Sequence, residues 1–230
     1  MPNSSFVNYL YEDNDKMINF IKKTIKKISL FNKVRGKRNN KILNKGIIFK
    51  SKIIFLGKNN IIEVTNNAKM WKCRIVIHGS NNKIVLGKNT YIEKSGICID
   101  GDNNNLIIGE NCIISKDNHF SIAESTSITI GNNCLMSANI HYRTTDSHSI
   151  LNNEGKRINF AKDIIIHDHV WICANASFLK GSEIKDDSIV SYGAVVTKRI
   201  SESNCVVAGV PANIVKKNIS WDKTLIKQEK

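Results

Sequence analysis

Six histidines are spread through the 230 residues, and His148 stands in a polar stretch with Asp146 two positions before it. An imidazole titrates near neutral pH, so a loop histidine can take a proton from a hydroxyl or amine and return it later, as a general base does in group transfer. Residue type alone leaves the role open, since loop histidines are also commonly solvated surface groups. His119, His141 and His148 offer nitrogen ligands for a zinc-dependent hydratase, but their spacings match no metal motif. Cys73, Cys98, Cys112, Cys134, Cys173 and Cys205 show no paired spacing and no secretory context, so reduced core thiols are expected rather than disulfides.

The elements that must position such residues are written as repeats. A 22-residue period aligns Val64, Leu86, Ile108 and Ile130, preceded two residues earlier by Ile62, Ile84, Leu106 and Ile128. That is the period-two pattern of a strand with one face inward. Behind them run Thr65, Gly87, Gly109 and Gly131, then Asn67, Asn89, Asn111 and Asn133, then Ala68, Thr90, Cys112 and Cys134, with Met70, Ile92, Ile114 and Met136 as a further apolar column. Asn and Gly tolerate left-handed backbone, so each repeat bends at the same point.

Beyond residue 163 the period shortens to six. Ile166, Ile172, Phe178, Ile184, Val190 and Val196 are followed four residues later by Val170, Ala176, Ser182, Ser188, Ala194 and Ile200. One short strand and a corner per hexad closes a triangular coil in three, and stacked coils form a parallel β-helix. The polar residues 142–162 fit neither period, and a loop that breaks a solenoid is a functional candidate.

Composition narrows the class further. The net charge of +14 is concentrated in residues 1–50, where twelve Lys or Arg face three acids for a net of +9. Met17, Ile18, Ile21, Ile25 and Ile28 recur at helical spacing among lysines, which predicts a basic amphipathic helix capping the solenoid or touching an anionic membrane surface. No aromatic interleaving or binding motif accompanies the charge, so nucleic acid is not an expected partner. The start, Met-Pro-Asn-Ser-Ser, has no signal-peptide pattern and no stretch is long enough to span a bilayer, so a cytoplasmic location, at most at the inner face of the membrane, is expected.

RTTDSHSI at 143–150, EGKRINFAKDIIIHDHVWI at 154–172 and NCVVAGVPANIVKKNI at 204–219 together resemble the hexapeptide-repeat acyltransferases, and most closely the polysialic acid capsule O-acetyltransferases among them. The resemblance runs from about Ile54 to Trp221. It implies an all-β, left-handed parallel β-helix over 46–216 carrying the inserted loop 142–162, a basic helical arm over 1–45 and a tail over 217–230.

It also implies a homotrimer with active sites between neighbouring subunits, acetyl-coenzyme A as donor and no metal. His148 becomes the general base and Trp171 the indole beside the acyl group. Ala174, Tyr192, Thr197 and Lys198 fall at positions contacting coenzyme A, with Lys216 near its phosphate end. Tyr192 stands where relatives carry a small residue, and Cys173 where they carry Gly. Asp146 is assigned to orienting His148 or holding the acceptor, and Arg143 to meeting an acidic sugar. The expected acceptor is a sugar hydroxyl of a bacterial capsular or surface polysaccharide, with sialic acid a candidate component. The rival is the amine of a nucleotide-linked sugar, and a non-catalytic binding protein is the alternative outside enzymes.

Overall fold

The computed structural model describes residues 31–226, and apart from a 3-10 turn at Lys37–Asn39 its regular structure is β-strand. The amphipathic helix expected within the first 45 residues falls on residues 1–30, outside the described residues. No helix among the described residues is long and apolar enough to cross a membrane.

Successive strands visit three sheets in turn. Sheet A holds eight strands from Lys33–Arg35 to Val195–Val196, and sheet B eight from Lys41–Asn44 to Arg199–Ile200. Sheet C holds nine, beginning at Ile47–Phe49 and closed by the antiparallel pair Cys205–Gly209 and Ala212–Lys217. Every other strand pairing is parallel, so the chain is a triangular β-solenoid whose backbone hydrogen bonds run from coil to coil. It starts earlier than residue 46. Lys33–Arg35 and Lys41–Asn44 already pair with Lys52–Phe55 and Ile61–Val64, because Ile42 falls in the inward column of Ile62.

The repeat columns are the ladder registers. Val64, Leu86, Ile108, Ile130, Ile166, Ile184 and Ile200 are aligned down sheet B and all are buried. The small-residue column of Ala68, Thr90, Cys112 and Cys134 is buried at the corner between sheets B and C. Its glycines are needed for close approach, since a Cβ on Gly87 or Gly109 would collide with the carbonyl of the glycine one coil further on. Asn67, Asn89, Asn111 and Asn133 turn that corner at φ of 60°, 58°, 56° and 58°, and His169 and Asp187 continue it at 53° and 58°. The expectation of core thiols needs one correction. Cys98 is exposed and Cys173 half-buried, because each takes an outward place beside an inward isoleucine.

A second polar column lines the inside of the corner between sheets A and B. Asn60, Asn82 and Asn104 are buried, and each side-chain oxygen accepts the backbone N–H of the next coil: Asn60 from Asn82 at 2.9 Å, Asn82 from Asn104 at 2.8 Å, and Asn104 from Thr126 at 3.0 Å. Each Asn Nδ2 donates onward as well, as Asn82 does to Asn60 Oδ1 and to the Gly101 carbonyl. Replacing Asn82 with Ala strands several buried groups at once. The variant is expected to lose about 3 kcal/mol in a denaturation experiment, against under about 1 kcal/mol for Val85→Ala on the outer face.

Candidate active site

After a first step of 19 or 20 residues neighbouring strands are 22 apart, and past the break they are 18 apart and then 17 or 16, but between the two regimes every sheet steps by 36: Ile130 to Ile166, Met136 to Ile172 and Tyr142 to Phe178. The extra chain leaves at one place. His141–Arg143 is still a strand of sheet A and Tyr142 is fully buried, its ring stacked between Phe120 at 4.7 Å and Phe178 at 5.1 Å. The excursion therefore begins at Thr144, two residues later than position 142, and rejoins at Ile164 in sheet B. The shift has a physical cause, since Tyr142 is needed to fill the inward column.

Thr144 is also where the Asn ladder ends. Its hydroxyl meets that of Thr126 at 2.7 Å and accepts the Ala123 N–H at 3.1 Å, while its carbonyl takes the Lys162 N–H at 3.0 Å and closes the base of the loop. Thr145 Oγ1 and Arg157 Nη2 both donate to Glu124 Oε1, at 2.6 and 2.8 Å. Those bonds, Arg157's foremost, hold the Glu124 carboxyl down at about 2, so the staple stays charged through mildly acidic pH. The tip turns at Gly155, and the bridge between Leu151 and Arg157 makes the excursion a small hairpin.

Asn159 locks the base of that hairpin. It is 8% exposed, and its Nδ2 donates to Asp146 Oδ2 at 2.7 Å and to the His148 carbonyl at 2.8 Å. Its Oδ1 accepts the Ile150 N–H at 2.7 Å and Arg157 Nε at 3.3 Å. The backbone on both sides of His148 is thus fixed, while the imidazole is exposed and has no hydrogen-bond partner among the described residues. Asp146 turns its carboxylate to Lys180 and Asn159, not to the imidazole, and those contacts, Lys180's first, pull its pKa down. Arg143 reaches Ser147 Oγ at 3.1 Å. Asn159 and Lys180 carry no sequence signal of their own: one is an Asn among loop residues, the other a hexad-corner lysine.

The remaining expected residues fall into separate groups. Thr197 and Lys198 lie at the same corner as the loop, between Val195–Val196 of sheet A and Arg199–Ile200 of sheet B, with Lys198 Nζ on Asn213 Oδ1 at 2.8 Å. Trp171 lies on the outer face of sheet C, in register with Leu135 and Ile189. Ala174 and Tyr192 occupy the corner between sheets C and A, where Gly193 N–H bonds the Ala174 carbonyl at 3.0 Å, and the Tyr192 ring is 72% exposed. Lys216 is exposed on the edge strand Ala212–Lys217. One chain therefore presents His148 at one edge of the triangle and Trp171 with Tyr192 beyond another.

Within one chain the three histidines offered for a metal are not gathered into a site. His119 and His141 stack face to face at 5.0 Å, and no group of three His, Cys, Asp or Glu among the described residues is placed to hold an ion. His167 and His169 bond Glu183 and Asp187, each at 2.8 Å. Trp221, from the expected tail, stacks on His169 at 4.2 Å and donates its indole N–H to the His169 carbonyl, so that part of the tail is docked.

The chain is thus a triangular parallel solenoid whose period is broken once, by a clamped hairpin that carries His148. No family model matches the sequence. A solved structure of the polysialic acid O-acetyltransferase OatWY superposes with a TM-score of 0.80 at 30% identity, covering 86% of this chain and 93% of that one. A second, of the polySia-specific acetyltransferase NeuO, superposes at 0.74 and 30% identity, covering 84% and 88%. The polysialic acid O-acetyltransferase of Escherichia coli O1:K1 / APEC is 45% identical over 69 residues, 30% of this chain and 22% of its own length. That of Neisseria meningitidis is 34% identical over 79 residues, 34% of this chain and 37% of its own length, so the aligned segments span well under half of these curated relatives. The chain belongs to the hexapeptide-repeat acetyltransferase family.

Removing the clamp should loosen the hairpin alone. Four hydrogen bonds at about 1 kcal/mol each imply that in Asn159→Ala the loop amides exchange on the order of a thousandfold faster, while the sheet amides are unchanged. Hydrogen exchange followed by mass spectrometry reads both at once.

Proposed function

We propose that this protein is an acetyl-coenzyme A-dependent O-acetyltransferase acting on a sugar hydroxyl of a surface polysaccharide, wound left-handed and working as a homotrimer. The observation that carries the reading is the placement of His148: an exposed imidazole on a backbone held from both sides by Asn159.

The chemistry follows from that placement. A sugar hydroxyl is a poor nucleophile until its proton is taken, and His148 accepts that proton as the oxygen attacks the thioester carbonyl. The acetyl carbon gains a bond to oxygen and loses its bond to sulfur, and the proton on His148 passes to the departing thiolate. No acyl-enzyme is needed. Burial pushes the Cys73 thiol up to about 11, which makes it a poor nucleophile.

Trp171 supports this reading through an indole N–H that bonds nothing among the described residues and is free to face a developing oxyanion. Ala174 leaves the corner open for a pantetheine chain, the exposed Tyr192 ring offers it an apolar wall, and Lys198 and Lys216 suit phosphates as point charges. Because these groups sit on different edges of one triangle, the site is complete only where the His148 edge of one subunit meets the Trp171 face of the next. The hairpin's exposed Ile150, Leu151, Ile158 and Phe160, each 55% exposed or more, favour such a neighbour.

His148→Ala should lower turnover by about 10²–10⁴-fold and leave the melting temperature unchanged, since the ring makes no bond in the fold. Acetyl transfer followed by release of free coenzyme A thiol measures the first. Retention of full activity would remove His148 from the mechanism.

A further inference from the structure

The cations of this solenoid are not treated alike. On the strands of sheet B, Lys83 pairs with Glu63 at 3.9 Å, and Glu183 is surrounded by His167, Lys185 and Arg199. Beside sheet C, Lys94 pairs with Glu93 at 3.6 Å. The strands of sheet A instead carry Lys33, Arg35, Lys52, Arg74, His78, His119, His141 and Arg143 against the single acid Asp100. None of the eight makes an ion pair among the described residues.

Register turns this excess into a line. Lys33, Lys52, Arg74, Gly96, His119 and His141 follow one another in a single outward column, and Arg35, Ile54, Val76, Cys98, Ser121 and Arg143 in the column beside it. At one strand per about 4.8 Å, the first column extends about 24 Å along the solenoid axis. A shallow depression lies at its centre, floored by Gly96, Val76 and Cys98 and walled by Arg74, His78 and His119. A Cβ on Gly96 would press the His119 ring at 3.1 Å, so the glycine keeps both the hollow and the ring's position. Burial, the stacked His119 and nearby Arg143 hold the His141 imidazole below its ordinary pKa, as expected on a face crowded with positive charge. The last basic or imidazole side chain of each column, His141 and Arg143, lies on the strand from which the His148 hairpin departs, and Ser177 and Leu179 follow them.

We propose that the outer face of sheet A is a binding track for an acidic polysaccharide, along which a linear chain of carboxylate-bearing sugars is held by Lys33, Lys52, Arg74, His119 and His141 and led to the hairpin of His148. The proposal rests on the reading of the acceptor as a polysaccharide and adds its charge and its path. Lys33, Lys52 and Arg74, cations without ion-pair partners among the described residues and at strand spacing, continued past Gly96 by the hydrogen-bonding imidazoles of His119 and His141, match an extended polyanion. Nucleic acid is disfavoured, because the outward positions of sheet A hold no Phe, Tyr or Trp on which bases would stack.

The test is equilibrium binding of the full chain to polysialic acid, without acetyl-coenzyme A, compared with neutral dextran and duplex DNA of similar length. Polysialic acid should bind more tightly than either, with an affinity that falls as salt rises. The double variant Lys52→Glu with Arg74→Glu should weaken it at least roughly tenfold, while Lys88→Glu, at the corner between sheets B and C, should change it by less than about threefold. Alkylation of exposed Cys98 in the unaltered protein gives a readout that needs no charge variant, and bound polymer should slow it. Unchanged affinity in the double variant, an equal loss in Lys88→Glu, tighter binding of DNA, or a Cys98 rate indifferent to polymer would each overturn the track. If the protein binds polymer along this face but transfers no acetyl group, the catalytic reading fails and the track stands.

Discussion

Everything in this molecule depends on one constraint: each coil is held by the coil above and the coil below, through parallel ladders in strict register. Side chains one coil apart must therefore agree in size and polarity, because they lie about 4.8 Å apart in the same column. Isoleucines stack on isoleucines in sheet B, and Asn side chains at the corner between sheets A and B take the backbone N–H of the next coil. A residue that breaks a column strands partners in two neighbouring coils, and this coupling keeps the period constant over long stretches.

A departure from the period needs anchoring of its own. The hairpin after Thr144 supplies it with Glu124 stapled to Arg157 and Thr145, Lys180 reaching from the following coil to Asp146, and Asn159 fixing the backbone around His148. The scaffold sets where the hairpin leaves, its own polar bonds set its shape, and the imidazole alone is left unengaged. That division suits a group that must exchange protons with a substrate.

Much of the scaffold was legible in the sequence because column agreement writes itself as periodicity: Val64, Leu86, Ile108 and Ile130 could be aligned without coordinates, and so could the hexads after residue 163. The inner Asn ladder is not legible there, since Asn60, Asn82 and Asn104 look like ordinary turn residues until their burial is known. The first coil is hidden in the sequence because Lys33–Arg35 and Lys41–Asn44 are short, charged outside, and placed beside a basic stretch with helical spacing. At the site, His148 stood out by type and by lying in the aperiodic stretch. Asn159 and Lys180 did not, because their importance lies in contacts 11 to 34 residues away in sequence. Strand order then showed that Trp171 and Tyr192 lie on a different edge from His148, a separation no spacing along the chain reveals.

The central claim is that His148 of one subunit works with Trp171 of its neighbour. It is tested by mixing two inactive proteins, His148→Ala and Trp171→Ala, under conditions that let subunits exchange, and measuring acetyl transfer. Shared sites in randomly mixed trimers should restore about a quarter of the unmodified activity, because that fraction of interfaces carries both intact residues. A mixture as inactive as its parents after proven subunit exchange would contradict the account and place both residues in a site within one chain.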